Sequence, residues 1–165
     1  MAENYIVING KKAELTPKQL KALGLEKEIK NPFERRINEQ YYIILADGDV
    51  CFYRDKADDT DDTMYRVANY CTDREMMEQR ALHETLNRLL WRYSMEHGGS
   101  KINWSDDTKR KYFISYNHHA CKCIVDYNTY YNSFTSPYFT TMEAAENAIK
   151  EIVEPFVAEH PDFEF

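Results

Sequence analysis

The stretch from Asn69 to Met95, NYCTDREMMEQRALHETLNRLLWRYSM, constrains the fold most, because it is the longest segment with helical periodicity. Met76, Met77, Arg80, Ala81, Leu86, Leu89, Leu90 and Tyr93 recur at three- and four-residue steps, the spacing of one helix face. Thr72 followed by Glu75 has the spacing of a capping box, in which each side chain satisfies the other residue's backbone donor. Gly98-Gly99 supplies the stop. The rest of the chain is expected to pack around this helix.

The flanking segments repeat one another. Tyr41-Tyr42-Ile43-Ile44 resembles Tyr112-Phe113-Ile114-Ser115 at an offset of 71, and Asn69-Tyr70-Cys71-Thr72 resembles Pro137-Tyr138-Phe139-Thr140 at an offset of 68. In the helix starts Thr72, Glu75 and Glu78 align with Thr140, Glu143 and Glu146. Each unit reads as strand, turn, strand, loop, strand, capped helix. In the first, the hairpin turns at Asp47-Gly48, an acidic loop spans Asp55 to Thr63, and Tyr65 to Tyr70 is the third strand. In the second, Tyr112 to Tyr116 pairs with Cys121 to Tyr127, and the last helix runs from Thr141 to Val153, ending before Pro155.

The expected fold is therefore α+β: an antiparallel sheet with two main helices on one face, built from two β-β-β-α units at about 41–97 and 112–154. Ahead of this body (41–165) stands a module over residues 1–24, a hairpin turning at Asn9-Gly10 and then a short helix from the Thr16-Pro17-Lys18-Gln19 cap to Gly24. Residues 25–40, charged and interrupted by Asn31-Pro32, read as a linker. The tail phenylalanines Phe156, Phe163 and Phe165 are expected to dock on the body.

The catalytic and metal motifs fall away one by one. His83-Glu84-Thr85-Leu86-Asn87 has Asn87 where the helical zinc motif needs its second histidine. His118, His119, Cys121 and Cys123 are the densest group of metal-capable side chains, but Cys-x-Cys beside His-His fits no common zinc spacing, and strand cysteines are usually buried and inert. Cys51 and Cys71 sit in strand patterns, where core packing is the simpler role. With 5 scattered glycines there is no phosphate-cradling loop. The reading is a non-enzyme with no cofactor and no metal.

The formal charge of −7 argues against a general binder of phosphate backbones. Acid is concentrated from Asp47 to Asp62, with seven Asp against Arg54 and Lys56, while residues 1–40 are slightly basic. Asp55, Asp58, Asp59, Asp61 and Asp62 are the candidate partner-binding carboxylates. The long helix adds Arg80, His83, Arg88 and Arg92 at near-helical spacing, of which Arg88 and Arg92 are candidate partner contacts. The tyrosine-rich second unit offers a different chemistry: Tyr127, Tyr130 and Tyr131 are candidate base-stacking residues, with Lys109, Arg110, Lys111 and Lys122 to meet phosphates. There is no run of apolar residues long enough to span a membrane, and the start MAENYIVINGKK lacks the pattern of a signal peptide, so an intracellular protein is expected.

The strings YIVINGKKAELTPKQLKALGL, NPFER before a YYI strand, NYCTDREMMEQRALHETLNRLLWRYSM and EIVEPFVAEHPDFEF resemble a group of small phage and prophage proteins of Firmicutes. The resemblance implies the cytoplasm of a bacterial host and the company of anti-defence proteins, among which the anti-CRISPR class is prominent. On that footing the leading expectation is a phage-encoded inhibitor of a host defence nuclease, an RNA-guided effector such as Cas9, acting by protein-protein binding through an acidic surface. The alternative is a module that binds single-stranded nucleic acid or a nucleotide signal through the tyrosine-rich second unit. A homodimer is the further partner considered, should an aromatic sheet face stay uncovered.

Overall fold

The computed structural model describes residues 5–8, 11–14, 16, 31–132 and 136–165. The chain divides into two compact units, 1–34 and 35–165. In the first, β1 (Tyr5–Ile8) and β2 (Lys11–Glu14) form an antiparallel hairpin in register Tyr5 to Glu14. The short helix expected after Thr16 lies outside the described residues.

The second unit is α+β. The strands β3 (Gln40–Ile44) and β4 (Val50–Arg54) form one antiparallel hairpin, and β5 (Lys111–Asn117) and β6 (Lys122–Asn128) another. Between them run α1 (Asp59–Arg66) and the long α2 (Arg74–Glu96), followed by a 3-10 turn at Gly99–Lys101. After β6 come α3 (Met142–Ala148), a π turn (Ile149–Val153) and α4 (Glu154–Glu159).

Three expectations are corrected here. The acidic stretch is not a loop followed by a strand; it caps and forms α1. The Asp58 carboxylate accepts from the backbone of Thr60 and Asp61 at 2.9 and 3.0 Å, and Asp61 reaches back to the Asp58 N–H at 3.2 Å. This is a capping box with aspartate in place of glutamate at its third helical position. Asp59, Asp61 and Asp62 in the first turn and Arg66 in the last then complement the helix dipole.

Second, the third strand of each unit is a single bridging residue. Cys71 exchanges backbone hydrogen bonds with Tyr42 (2.7 and 3.1 Å), and Phe139 does so with Tyr112 (3.0 and 2.8 Å). Helices therefore begin immediately after each bridge, with Asp73 and Thr141 as the N-caps, accepting from Met76 and Ala144 at 3.1 Å each. Both caps fall one residue after Thr72 and Thr140. The bridges also make Tyr42, rather than Tyr41, the counterpart of Tyr112, and a one-residue slip of this kind exchanges the two faces of a strand.

Third, the helices do not share one face of one sheet; the two hairpins are separate two-stranded sheets. In β3 every position from Tyr41 to Ile44 is apolar, so both faces require cover. Tyr41 and Ile43 pack with Tyr70 and with Met64 of α1, whereas Tyr42 and Ile44 pack with Cys71, Met77 and Ala81 on the α2 side. The largest cluster joins Leu86, Leu90 and Tyr93 of α2 to Phe139, to Ala145 and Ala148 of α3, and to Val153, Phe156 and Phe163. The tail docks as expected: Phe163 is buried, and Gln79 donates to the Asp162 carbonyl at 2.6 Å and accepts from the Glu164 N–H at 3.1 Å. The last helical segment runs past Pro155, which sits in the first turn of α4 just after the π turn.

Candidate nucleic-acid interface

The cations and tyrosines of the second unit come together around the start of β5. Residues 101–111, KINWSDDTKRK, carry four cations against two carboxylates. They fold into tight turns because Asn103 and Asp106 accept from backbone N–H groups two residues on, at 3.0 and 3.1 Å. A cleft of about 510 Å³ opens there, lined by Lys101, Asn103, Thr108, Lys109, Arg110 and Thr140 among others. Lys101, Lys109 and Arg110 are exposed, and Lys109 lies 3.5 Å from Asp106.

At the rim, the Arg110 guanidinium lies 4.3 Å from the centroid of the exposed Tyr127 ring. An arginine so placed is held flat by cation–π attraction and keeps donors for an anion. Beyond β6, Tyr130 and Tyr131 are 72% and 77% exposed, with their rings edge to face at 6.5 Å. These two rings are the most exposed aromatic side chains among the described residues, ahead of Phe52 at 68%.

Lys111 has a different task from the one expected. It is buried, and its ammonium donates to the Asp106 carbonyl and to the Thr129 carbonyl (2.9 Å), with Trp104 5.6 Å away. It ties the turn that walls the cleft to the loop that carries Tyr130 and Tyr131, so its ammonium is committed to holding the surface together. Lys122 is at the far end of β6, about 17 Å along the strand from Tyr127, and stands outside the cluster. Trp104, Lys101 and Thr140 are the additions that sequence reasoning missed. The dense KINW and TKRK strings were the available signal.

The acidic candidates behave otherwise. Asp55 and Asp61 are buried and committed inward, which corrects their assignment to a partner surface. Arg35 grips both Asp55 oxygens at 2.8 and 3.1 Å, and the Ala57 N–H adds a bond of 2.9 Å. The Arg35 bonds, with this backbone donor and the Tyr70 hydroxyl, hold the Asp55 carboxyl below its ordinary 3.8 against the opposing effect of burial. Burial pushes the Asp61 carboxyl up, but bonds from the Tyr41 hydroxyl (2.7 Å) and from the Lys56 (2.7 Å) and Asp58 N–H groups outweigh it and leave the group lowered. Tyr41 and Tyr70 stack at 4.2 Å above these acids, and burial pushes both hydroxyls up. Asp58, Asp59 and Asp62 face solvent, although Asp58 caps α1 and Asp62 pairs with Arg35.

Of the arginines on α2, Arg88 is exposed, donates to the Ala46 carbonyl at 3.1 Å and lies 3.6 Å from Glu84; Arg92 is exposed. His83 sits against Phe163 of the tail at 4.7 Å. Cys71 is buried, Cys51 and Cys123 are half-buried and Cys121 is exposed, all as free thiols. Among the described residues, no group of three or more His, Cys, Asp or Glu side chains is placed to hold a metal ion, and no helix is long and apolar enough to cross a membrane. Compared with protein-family models, curated proteins and solved structures, the chain matches none.

Proposed function

We propose that the second hairpin binds single-stranded nucleic acid. Phosphates lie over Lys101, Lys109 and Arg110, and bases stack on Tyr127, Tyr130 and Tyr131. The observation that carries this reading is the Arg110–Tyr127 contact at a cation-lined cleft, with the exposed Tyr130 and Tyr131 three and four residues further along the chain. Stacking tolerates any base and adds about 1–3 kcal/mol per ring, so three rings with a few cations suffice without sequence readout. Contacts between these cations and phosphates make binding sensitive to salt. Fluorescence anisotropy with labelled 15-nucleotide single strands, DNA and RNA, tests it. Binding that weakens with salt, and is about tenfold or more weaker for Tyr127→Ala and Arg110→Ala, is expected; no binding at ~50 mM salt, or equal binding by both variants, overturns it.

A second reading draws on the exposed carboxylates of Asp58, Asp59 and Asp62 at the start of α1. In it the protein is a phage-encoded inhibitor of a host defence nuclease such as Cas9, meeting the enzyme's basic groove with this acidic turn. Loss of nuclease activity at stoichiometric protein, restored by Asp59→Asn with Asp62→Asn, supports it; full nuclease activity excludes it.

A further inference from the structure

We infer that β6 is the interface of a two-fold symmetric dimer, in which the strands of two copies of this chain pair edge to edge in a register centred on Ile124. The inference is independent of the nucleic-acid reading, since it rests on the backbone of β6 and on two of its charges.

The backbone argument starts at the bridge. Tyr112 spends its N–H and C=O on Phe139, so the opposed pair Tyr112–Tyr127 is a non-hydrogen-bonded pair of the hairpin. Antiparallel pairs alternate. The groups of Asp126, Ile124 and Lys122 therefore turn toward β5, and those of Tyr127, Val125 and Cys123 turn to the other edge. Among the described residues no strand lies along that edge. A seven-residue edge bordered by no described strand is a template for a further strand. The Tyr127 N–H is closed off by its neighbour's Asp126 carboxylate at 2.7 Å, which leaves Val125 and Cys123 as the open positions.

Symmetry then selects the register. A two-fold axis makes each strand meet itself reversed, and the open peptide groups must meet open peptide groups, so odd positions oppose odd positions. Centring on Val125 sets the Asp126 carboxylate opposite Ile124, and centring on Cys123 sets Lys122 opposite Ile124. Centring on Ile124 alone sets Lys122 of each copy opposite Asp126 of the other, twice over, with Cys123 and Val125 exchanging both backbone bonds. Lys122 and Asp126 are both exposed. Within one chain they stand about 13 Å apart along the strand, too far to pair with each other. The result is a four-stranded sheet, β5 and β6 continued through the axis, in place of a two-stranded hairpin that is weak alone.

The test is sedimentation velocity of the full chain and of charge reversals at these two solvent-facing positions. Neither reversal sets like charges against each other within the hairpin, because Lys122 and Asp126 oppose Asn117 and Phe113 in the β5–β6 register, although Asp126→Lys also frees the Tyr127 N–H. The wild-type chain is expected to dimerise. Lys122→Asp places like charges opposite one another at both sites and is expected to weaken the dimer about tenfold or more, as is Asp126→Lys. The double reversal, Lys122→Asp with Asp126→Lys, restores opposite charges and is expected to return the dimer to within about threefold of wild type. A chain that stays monomeric at all concentrations up to ~100 μM overturns the inference and makes the two charges guards of a free edge. A dimer indifferent to both single reversals, or not restored by the double one, overturns the register.

Discussion

Replacing Asp55 by Asn removes one charge and little volume from a buried carboxylate gripped by an arginine. In the native protein Asp55 is wholly buried, takes two bonds from Arg35 at 2.8 and 3.1 Å and one from the Ala57 N–H at 2.9 Å. Asparagine keeps one acceptor oxygen but sets an amide donor against the guanidinium. Charged hydrogen bonds contribute about 1.5–3 kcal/mol each, and breaking a buried pair costs roughly 3–5 kcal/mol. Arg35 retains Asp62 and is itself 22% exposed, so the lower end applies, about 3 kcal/mol. For a body of about 130 residues that corresponds to a Tm lower by roughly 10 °C.

The pH dependence gives the sharper test. The Asp55 carboxyl is lowered from its ordinary 3.8 by folding, so its stabilisation is complete above that value and is lost as pH falls through the lower, folded value. Urea unfolding followed by circular dichroism should show the full gap between wild type and Asp55→Asn at pH 7, narrowing below about pH 3.5. A gap under about 1 kcal/mol at pH 7 would refute the assignment of Asp55 to the core. So would a gap that stays constant into acid.

Three other outcomes follow from local geometry. Asp73→Ala and Thr141→Ala each remove an N-cap bond of 3.1 Å and should cost about 1 kcal/mol in chemical denaturation. Gly99→Ala drives a Cβ to 2.1 Å from Ser94 Oγ and should lower stability by more than about 2 kcal/mol; Gly98→Ala, with a positive φ of 89° but its nearest neighbour at 3.5 Å, should cost only about 1 kcal/mol. Alkylation followed by mass spectrometry at pH 8 should label the exposed Cys121 first and Cys71 only on unfolding, since burial covers Cys71 and pushes its thiol up; early labelling of Cys71 would contradict its place in the core.

The two hairpins, the long helix and the docking tail could be read from strand alternation, turn dipeptides and helical spacing. The first helix could not, because Asp55 to Asp62 has almost no apolar residue to give a period, and its cap uses aspartate where glutamate is the usual signal. Carboxylates in an unrecognised helix look free for a partner, whereas Asp55 and Asp61 hold the tyrosine pair Tyr41 and Tyr70 in place. The repeat was visible but one residue out of register in its strand, since Tyr41 and Tyr42 look alike to an alignment and only the bridge to Cys71 tells them apart. Of the candidate interface, Tyr127, Tyr130, Tyr131 and Arg110 were evident from the sequence. The burial of Lys111 was not, because the carbonyls that hold it come from residues 5 and 18 positions away, in two loops whose approach no local pattern encodes.

Photo-crosslinking reports directly where nucleic acid touches the chain. Single strands carrying 4-thiothymidine or 4-thiouridine would be irradiated with the protein, digested and mapped by mass spectrometry. Adducts in residues 122–132, on Tyr127, Tyr130 or Tyr131, with a second group in 101–112, are the predicted result. Adducts confined to α1 or to residues 1–34, or none at concentrations where anisotropy reports binding, would contradict it.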